Sequence, residues 1–257
     1  MTDSGRRAEE TEARVAFVTG AAAGLGQAYA RRLASNGFVV CAADLAAADE
    51  TVDLIRAAGG EGVAMTCDVS SEESVSAAGR LLRERLGRCD VLVNNAGVYP
   101  VQPFEEIDFA AWRRVLSINL DGAFLCCKEF VPGMRERGFG RIVNVATTVG
   151  SLAISGFVHY TASKLGVVGL TRALASELGD DGITVNCVAP GLVVTPGTRS
   201  GPQAGWYDAV AKTQAIKRRS TPEDIVGTVS FLASDASAFM TGQTLVVDGG
   251  AVRTGPT

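Results

Sequence analysis

The sequence predicts a single α/β domain built on a doubly wound, parallel sheet flanked by helices. Three observations carry that expectation. Short β-branched apolar runs alternate with longer amphipathic stretches along the chain. The apolar runs are continuous, as in strands buried on both faces. No Pro- or Ser-rich linker and no internal repeat divides the 257 residues, a length that α/β folds reach undivided.

The elements follow in order. "RVAFVT" reads as the first strand. "TGAAAGLG" turns out of it into a helix over 24–36. "FVVCAAD" is a second strand ending on Asp44, and "GVAMTCDV" a third, followed by a helix over 71–86. "DVLVNNAG" leads to one long helical pattern over 110–137, and "GRIVNVAT" to another over 158–178. "ITVNCVAP" is the sixth strand and "QTLVVDGG" the last. Between them lies a helix over 222–233, with Thr221 as cap and Pro222 and Asp224 in its first turn.

Composition narrows the function. The chain is 47% hydrophobic and 20% charged, enough to bury a core. Its net charge of −4 argues against nucleic acid or an anionic membrane as partner. No apolar run is long enough to span a bilayer. The opening "MTDSGRRAEETEAR" is polar, without the apolar centre of a secretion signal, and residues 1–13 are expected to be a disordered tail before a domain over 14–257. Six cysteines form no C-x-x-C pair and His159 is the single histidine, so reduced, buried thiols in a cytoplasmic protein without a bound metal are expected.

The glycine turn raises a chemical possibility. Gly20, Gly24 and Gly26 leave no Cβ where a backbone would approach a pyrophosphate at a helix N-terminus. The spacing differs from the common G-x-G-x-x-G, and a glycine turn alone is a weak signal. Asp44 strengthens it. An acid about 20 residues on, at the end of the next strand, accepts hydrogen bonds from an adenosine ribose. It would repel a 2′-phosphate, and no Arg or Lys follows it closely, so NAD(H) is expected over NADP(H). Alone, Asp44 would read as the start of a turn.

"HYTASK" carries the catalytic signal. Tyr160 and Lys164 are four apart and share a helix face. An ammonium near a phenol lowers its pKa from about 10 and makes it usable as an acid or base. A bare Y-x-x-x-K is most often a surface pair. Here "TGAAAGLG", "NNAG" (94–97), "SINLDG" (117–122), "YTASK" and "PGLVVT" (190–195) occur in this order. Together they resemble the short-chain dehydrogenase/reductase family from Val15 to the "TGQTLVVDGG" end.

The resemblance implies a Rossmann-type domain with a seven-stranded parallel sheet, a homotetramer, and an NAD cofactor. It places Gly20, Gly24, Leu25 and Gly26 at the pyrophosphate and Asp44 and Leu45 at the adenosine ribose. Asp68 and Val69 flank the adenine, and Asn95, Ala96 and Gly97 lie beneath the cofactor. Tyr160 matches the catalytic acid/base, Lys164 the residue that holds the nicotinamide ribose and tunes the phenol, and Asn119 the asparagine that positions a water. Pro190, Val193 and Thr195 match the segment that orients the carboxamide. One position departs: the serine usual thirteen residues before the tyrosine is Thr147 here, beside Thr148. Threonine keeps the hydroxyl and adds a methyl, so Thr147 is expected to hold the substrate oxygen in a slightly narrowed pocket.

Residues 195–216, broken by Gly and Pro and carrying Trp206 and Tyr207, read as a mobile lid, or as a segment that Trp206 anchors to the core. Val98, Tyr99, Val149, Leu152, Ile154 and Phe157 are the other wall candidates. No arginine lies among them, so an apolar or aromatic secondary alcohol or ketone is expected. "GRCDVLVNNAGVYP", "FVPGM" and "TGQTLVVDGGAVR" resemble NAD-dependent 1-phenylethanol dehydrogenases, and the lid-to-tail stretch resembles pyridoxal 4-dehydrogenase. A 3-oxoacyl-thioester reductase is the rival. It would use NADPH and show a basic patch at the cleft mouth, for which Arg135, Arg137, Arg141, Lys217, Arg218 and Arg219 are the candidates. A non-catalytic NAD-binding sensor, with Thr147 as a mark of decay, is the third reading. His159, next to Tyr160 but on another face, reads as a packing or interface residue.

Overall fold

The computed structural model describes residues 13–253; residues 1–12 of the expected tail lie outside them. Seven strands form the sheet: β1 (Val15–Thr19), β2 (Val39–Asp44), β3 (Gly62–Thr66), β4 (Val91–Asn94), β5 (Gly140–Val145), β6 (Ile183–Pro190) and β7 (Thr244–Val247). All neighbours are parallel, in the order β3-β2-β1-β4-β5-β6-β7. The seven apolar runs read from the sequence are these strands.

The helices are α1 (Gly24–Ser35), α2 (Asp49–Ala57), α3 (Glu72–Leu86), α4 (Phe109–Leu116), α5 (Gly122–Arg137), α6 (Val149–Leu152), α7 (Val158–Leu178), α8 (Pro196–Ser200), α9 (Tyr207–Thr213) and α10 (Pro222–Leu232). Strand alternation sorts the core into two layers. Ala16 and Val18 pack with residues of α1, α2 and α10. Val15 and Phe17 point the other way, into a cluster with α3, α5 and the end of α7. Phe17 meets Phe130 of α5 there, ring centroids 4.7 Å apart.

Two helical readings need correction. Residues 110–137 do not form one uniform helix: a widened turn over Ser117–Asp121 separates α4 from α5. α2 was not anticipated. It has nine residues and buries only Thr51, Val52 and Ile55, too short a pattern to register as a period.

The chain leaves β1 toward β2 and β3, then returns to the far side of β1 for β4. Loops at the C-terminal ends of β1 and β4 therefore diverge, and a crevice opens at this reversal, where ligands bind in open α/β sheets.

Candidate active site

The glycine turn forms one wall of the crevice. Gly20 and Gly24 have φ of +65° and +60°, the left-handed region that favours glycine. A Cβ on Gly20 would stand 2.8 Å from Ala96 Cα, and one on Gly26 would strike the carbonyl oxygen of Gly20. These two glycines keep the turn tight against the end of β4. Gly24 instead looks across the crevice, where an added Cβ would lie 3.6 Å from Thr195 Cβ. The α1 N-terminus has no side-chain cap and no acid in its first turn, so its N–H groups are left for an anion. Asn95 stitches the wall together: its Nδ2 donates to the carbonyls of Thr19 (2.9 Å) and Gly20 (3.1 Å). Thr19 Oγ1 accepts from the N–H groups of Asn95 and Ala96, both at 3.0 Å.

Asp44 stands half-buried at the end of β2. One carboxylate oxygen accepts from Ala22 N–H (2.9 Å) and the other from Ala46 N–H (3.0 Å). Each keeps a lone pair for a further donor. Leu45 is exposed beside it. Asp68 accepts from the N–H (2.9 Å) and hydroxyl (2.6 Å) of Ser70, while Val69 is buried against Gly122.

The reactive groups converge at the start of α7. The half-buried phenol of Tyr160 lies beside the hydroxyl of Thr147, just past the end of β5. Burial pushes this phenol up to about 12, a rise that the Thr147 hydroxyl opposes and nearby Tyr99 reinforces. Lys164, one turn on, is buried, and its Nζ donates to Val145 O at 2.7 Å. Burial lowers this amine to about 8, opposed by Cys187. The expected lowering of the phenol by Lys164 is therefore corrected for the chain alone: burial raises the phenol, and the opposing contribution comes from Thr147.

Asn119 lies in the widened turn, and its side chain explains that turn. Oδ1 accepts from Val98 N–H (2.8 Å), while Nδ2 donates to Val98 O (2.9 Å) and to Ser163 Oγ (3.0 Å). A Cβ on Gly97 would lie 3.2 Å from Asn119 Oδ1 and 3.4 Å from Lys164 Nζ. The bare glycine thus leaves both groups facing one small gap. Pro190 O accepts from the Thr148 N–H (3.2 Å) and hydroxyl (3.3 Å). Val193 is buried, and the Thr195 hydroxyl caps α8 by accepting from Thr198 N–H at 3.2 Å.

The family model described as enoyl-(acyl carrier protein) reductase matches residues 20–252. A cis-4-hydroxycyclohexanecarboxylate dehydrogenase from Sinomonas cyclohexanicum is 43% identical over 92% of this chain and 96% of that protein. The chain belongs to the short-chain dehydrogenase/reductase family. A D-threitol dehydrogenase from Mycolicibacterium smegmatis is 40% identical over 93% of each chain. A solved chain from Sinorhizobium meliloti 1021, described as a candidate short-chain alcohol dehydrogenase, superposes with a TM-score of 0.88 at 37% identity. That match covers 93% of this chain and 96% of the other.

Within this short-chain dehydrogenase/reductase, the structure brings Asn119, Thr147, Tyr160 and Lys164 together and sets the glycine turn, Asp44 and Thr195 along the same crevice. Sequence reasoning missed Ser163, which ties Asn119 to α7 and donates to Tyr160 O at 2.7 Å; its place three residues after Tyr160 was the available signal. It also missed a buried amide chain under the site, in which Asn94 Nδ2 donates to Asn144 Oδ1 (2.8 Å) and Asn144 Nδ2 to Thr171 Oγ1 (2.8 Å). His159 is fully buried, as a packing residue would be, yet its Nδ1 accepts from Tyr160 N–H at 3.0 Å. Among the described residues, no group of three or more His, Cys, Asp or Glu is placed to hold a metal ion, and no helix is long and apolar enough to cross a membrane.

The expected wall is only partly built. Tyr99 and Phe157 flank Tyr160, with ring centroids at 6.4 and 5.6 Å. Leu152 and Ile154 stand substantially exposed. Of the basic candidates, Lys217 and Arg219 touch α9 of the lid segment, Lys217 donating to Lys212 O at 2.7 Å and Arg219 lying over the Tyr207 ring, and the five arginines are all in ion pairs. Arg135 pairs with Asp181, Arg137 with Asp90, and Arg141 with Asp235. Arg218 pairs with Asp224 and Arg219 with Asp208. Arg141 lies at the start of β5, the end of the sheet away from Thr147, and stacks on Phe139 at 4.3 Å.

Proposed function

We propose that this chain interconverts a secondary alcohol and its ketone using NAD(H), on a substrate with an apolar or aromatic body. The observation that carries the reading is the placing of the Thr147 hydroxyl beside the Tyr160 phenol, with buried Lys164 one turn on, at the crevice where the sheet reverses. The crevice suits a dinucleotide: an uncapped helix N-terminus for the pyrophosphate, a carboxylate with spare lone pairs for the ribose, and a bare Gly97 over the far end. Gly20, Gly24, Leu25 and Gly26 would hold the pyrophosphate, Asp44 and Leu45 the ribose, and Asp68 and Val69 the adenine. Asn95, Ala96, Gly97, Pro190, Val193 and Thr195 would hold the nicotinamide half. The carboxylate of Asp44 supports NAD(H) over NADP(H), because a 2′-phosphate would meet a like charge.

A nicotinamide bound there supplies the hydride acceptor for oxidation, or the donor for reduction. The chain's part is orientation and proton transfer. Thr147 and Tyr160 hold the substrate oxygen between their hydroxyls. In oxidation Tyr160 Oη takes the alcohol proton; in reduction it gives the proton back. Lys164, held by Val145 O, would contact the ribose of a bound nicotinamide and, as an ammonium, stabilises negative charge on the phenolate. Asn119 and Lys164 share the gap over Gly97, which suits a water that returns the proton to solvent.

The five candidate arginines are all neutralised in ion pairs, which disfavours the carrier-protein reductase reading. Incubation with NAD and a panel of cyclic and aryl secondary alcohols tests the proposal: NADH absorbance should grow, and faster than NADPH does from NADP. Tight NAD binding without turnover of any alcohol or ketone would favour the sensor. Exposed Phe109, Phe124 and Leu165 on α4, α5 and α7, with Phe239 and Val246 near β7, support a homotetramer, which light scattering would check.

A further inference from the structure

We infer that Tyr99 is the seat on which the lid closes, and that its contact with Gly197 sets the width of the pocket beside Tyr160. This rests on the reading of Tyr160 and Thr147 given above.

Tyr99 stands edge-on to the Tyr160 ring, at 6.4 Å and 72°. From the other side, three lid groups close on it. Its hydroxyl lies beside the side chain of Thr195. The same hydroxyl fills the space where a Cβ on Gly197 would stand. Gln203, buried, donates from Nε2 to Tyr99 O at 3.3 Å.

The rest of the lid is braced on the second aromatic beside the phenol. Trp206 meets Phe157 edge-on at 6.1 Å, and Phe157 lies 5.6 Å from Tyr160. Tyr207 donates to Thr198 Oγ1 at 2.7 Å, and Thr198 Oγ1 donates to Val193 O at 2.8 Å. The two rings that flank the reacting phenol are thus the two on which the lid rests. A group that displaces Tyr99 both widens the pocket and lifts the lid.

Gly197 is the informative residue. It lies in α8, is exposed, and has no left-handed φ. Its backbone does not require glycine, and helix propensity would favour alanine. The hydroxyl of Tyr99 supplies the reason for glycine.

The test uses steric complementarity. The chain has two tryptophans, Trp112 and Trp206, so Trp112→Phe leaves Trp206 to report on the lid. In that background Gly197→Ala should shift Trp206 emission to the red and raise KM for the alcohol by about tenfold, with kcat changed far less. Adding Tyr99→Phe removes the oxygen in conflict, and should return emission and KM to within about threefold of Tyr99→Phe alone. A double variant as impaired as Gly197→Ala, or a Gly197→Ala variant with parental emission and KM, would overturn the inference. A parent that oxidises no alcohol with either nicotinamide cofactor would sink the functional reading instead; Trp206 emission across the same variants would still decide the seat.

Discussion

The hydroxyl of Thr147, just past the end of β5, lies beside the phenol of Tyr160, in the first turn of α7. This hydroxyl lowers the phenol pKa against the burial that raises it. Thr147→Ser keeps the donor and should retain turnover. Thr147→Ala loses it, and kcat should fall by about tenfold or more. An alanine variant as fast as the parent would remove Thr147 from the mechanism.

The same pair of hydroxyls has a pH signature. The phenol, raised to about 12, must lose its proton before it can accept one from the alcohol, so oxidation in the chain's own field should speed up as pH rises from about 7 to 10. Loss of the Thr147 hydroxyl raises the phenol further, so the rising limb in Thr147→Ala should move to higher pH. A pH–rate profile of both proteins checks the direction; a shift to lower pH would contradict the assignment.

Lys164 should cost stability where it should aid catalysis. Its amine is about 8 in the fold against an ordinary 10.5. Between those values the unfolded chain binds more protons, so this group's contribution to stability rises with pH through that window. At pH 7 the ammonium is charged in both states, and burying it costs roughly 3 kcal/mol, partly offset by about 1 kcal/mol from the bond to Val145 O. Lys164→Met should raise Tm at pH 7, gain less near pH 10, and abolish turnover. Thermal denaturation of parent and variant at the two pH values decides; a lower Tm at pH 7 would refute the burial account.

Asp44→Asn removes a charge while keeping one oxygen to accept an N–H from Ala22 or Ala46. The preference for NADH over NADPH, as a ratio of kcat/KM, should fall by about tenfold. An unchanged ratio would mean that the carboxylate serves the glycine turn alone.

Much of this was legible in the residues. Continuous apolar runs marked all seven strands because parallel strands bury both faces. The spacing of Tyr160 and Lys164 put them on one helix face because a helix repeats every 3.6 residues. The widened turn at Asn119 was not legible, since the bonds that hold it reach Val98 and Ser163, 21 and 44 residues away. Nor was α2, whose few buried side chains are recruited by neighbours rather than by a local period.

The sequence by itself determined the strand and helix alternation, the glycine turn and the identities of the reacting groups, because these depend on local geometry and residue chemistry. Only the tertiary structure decided the protonation tendencies of Tyr160 and Lys164, the pairing of the arginines with carboxylates, and the meeting of Tyr99 with Gly197. Desolvation, pairing and steric fit arise from groups distant along the chain and adjacent in space.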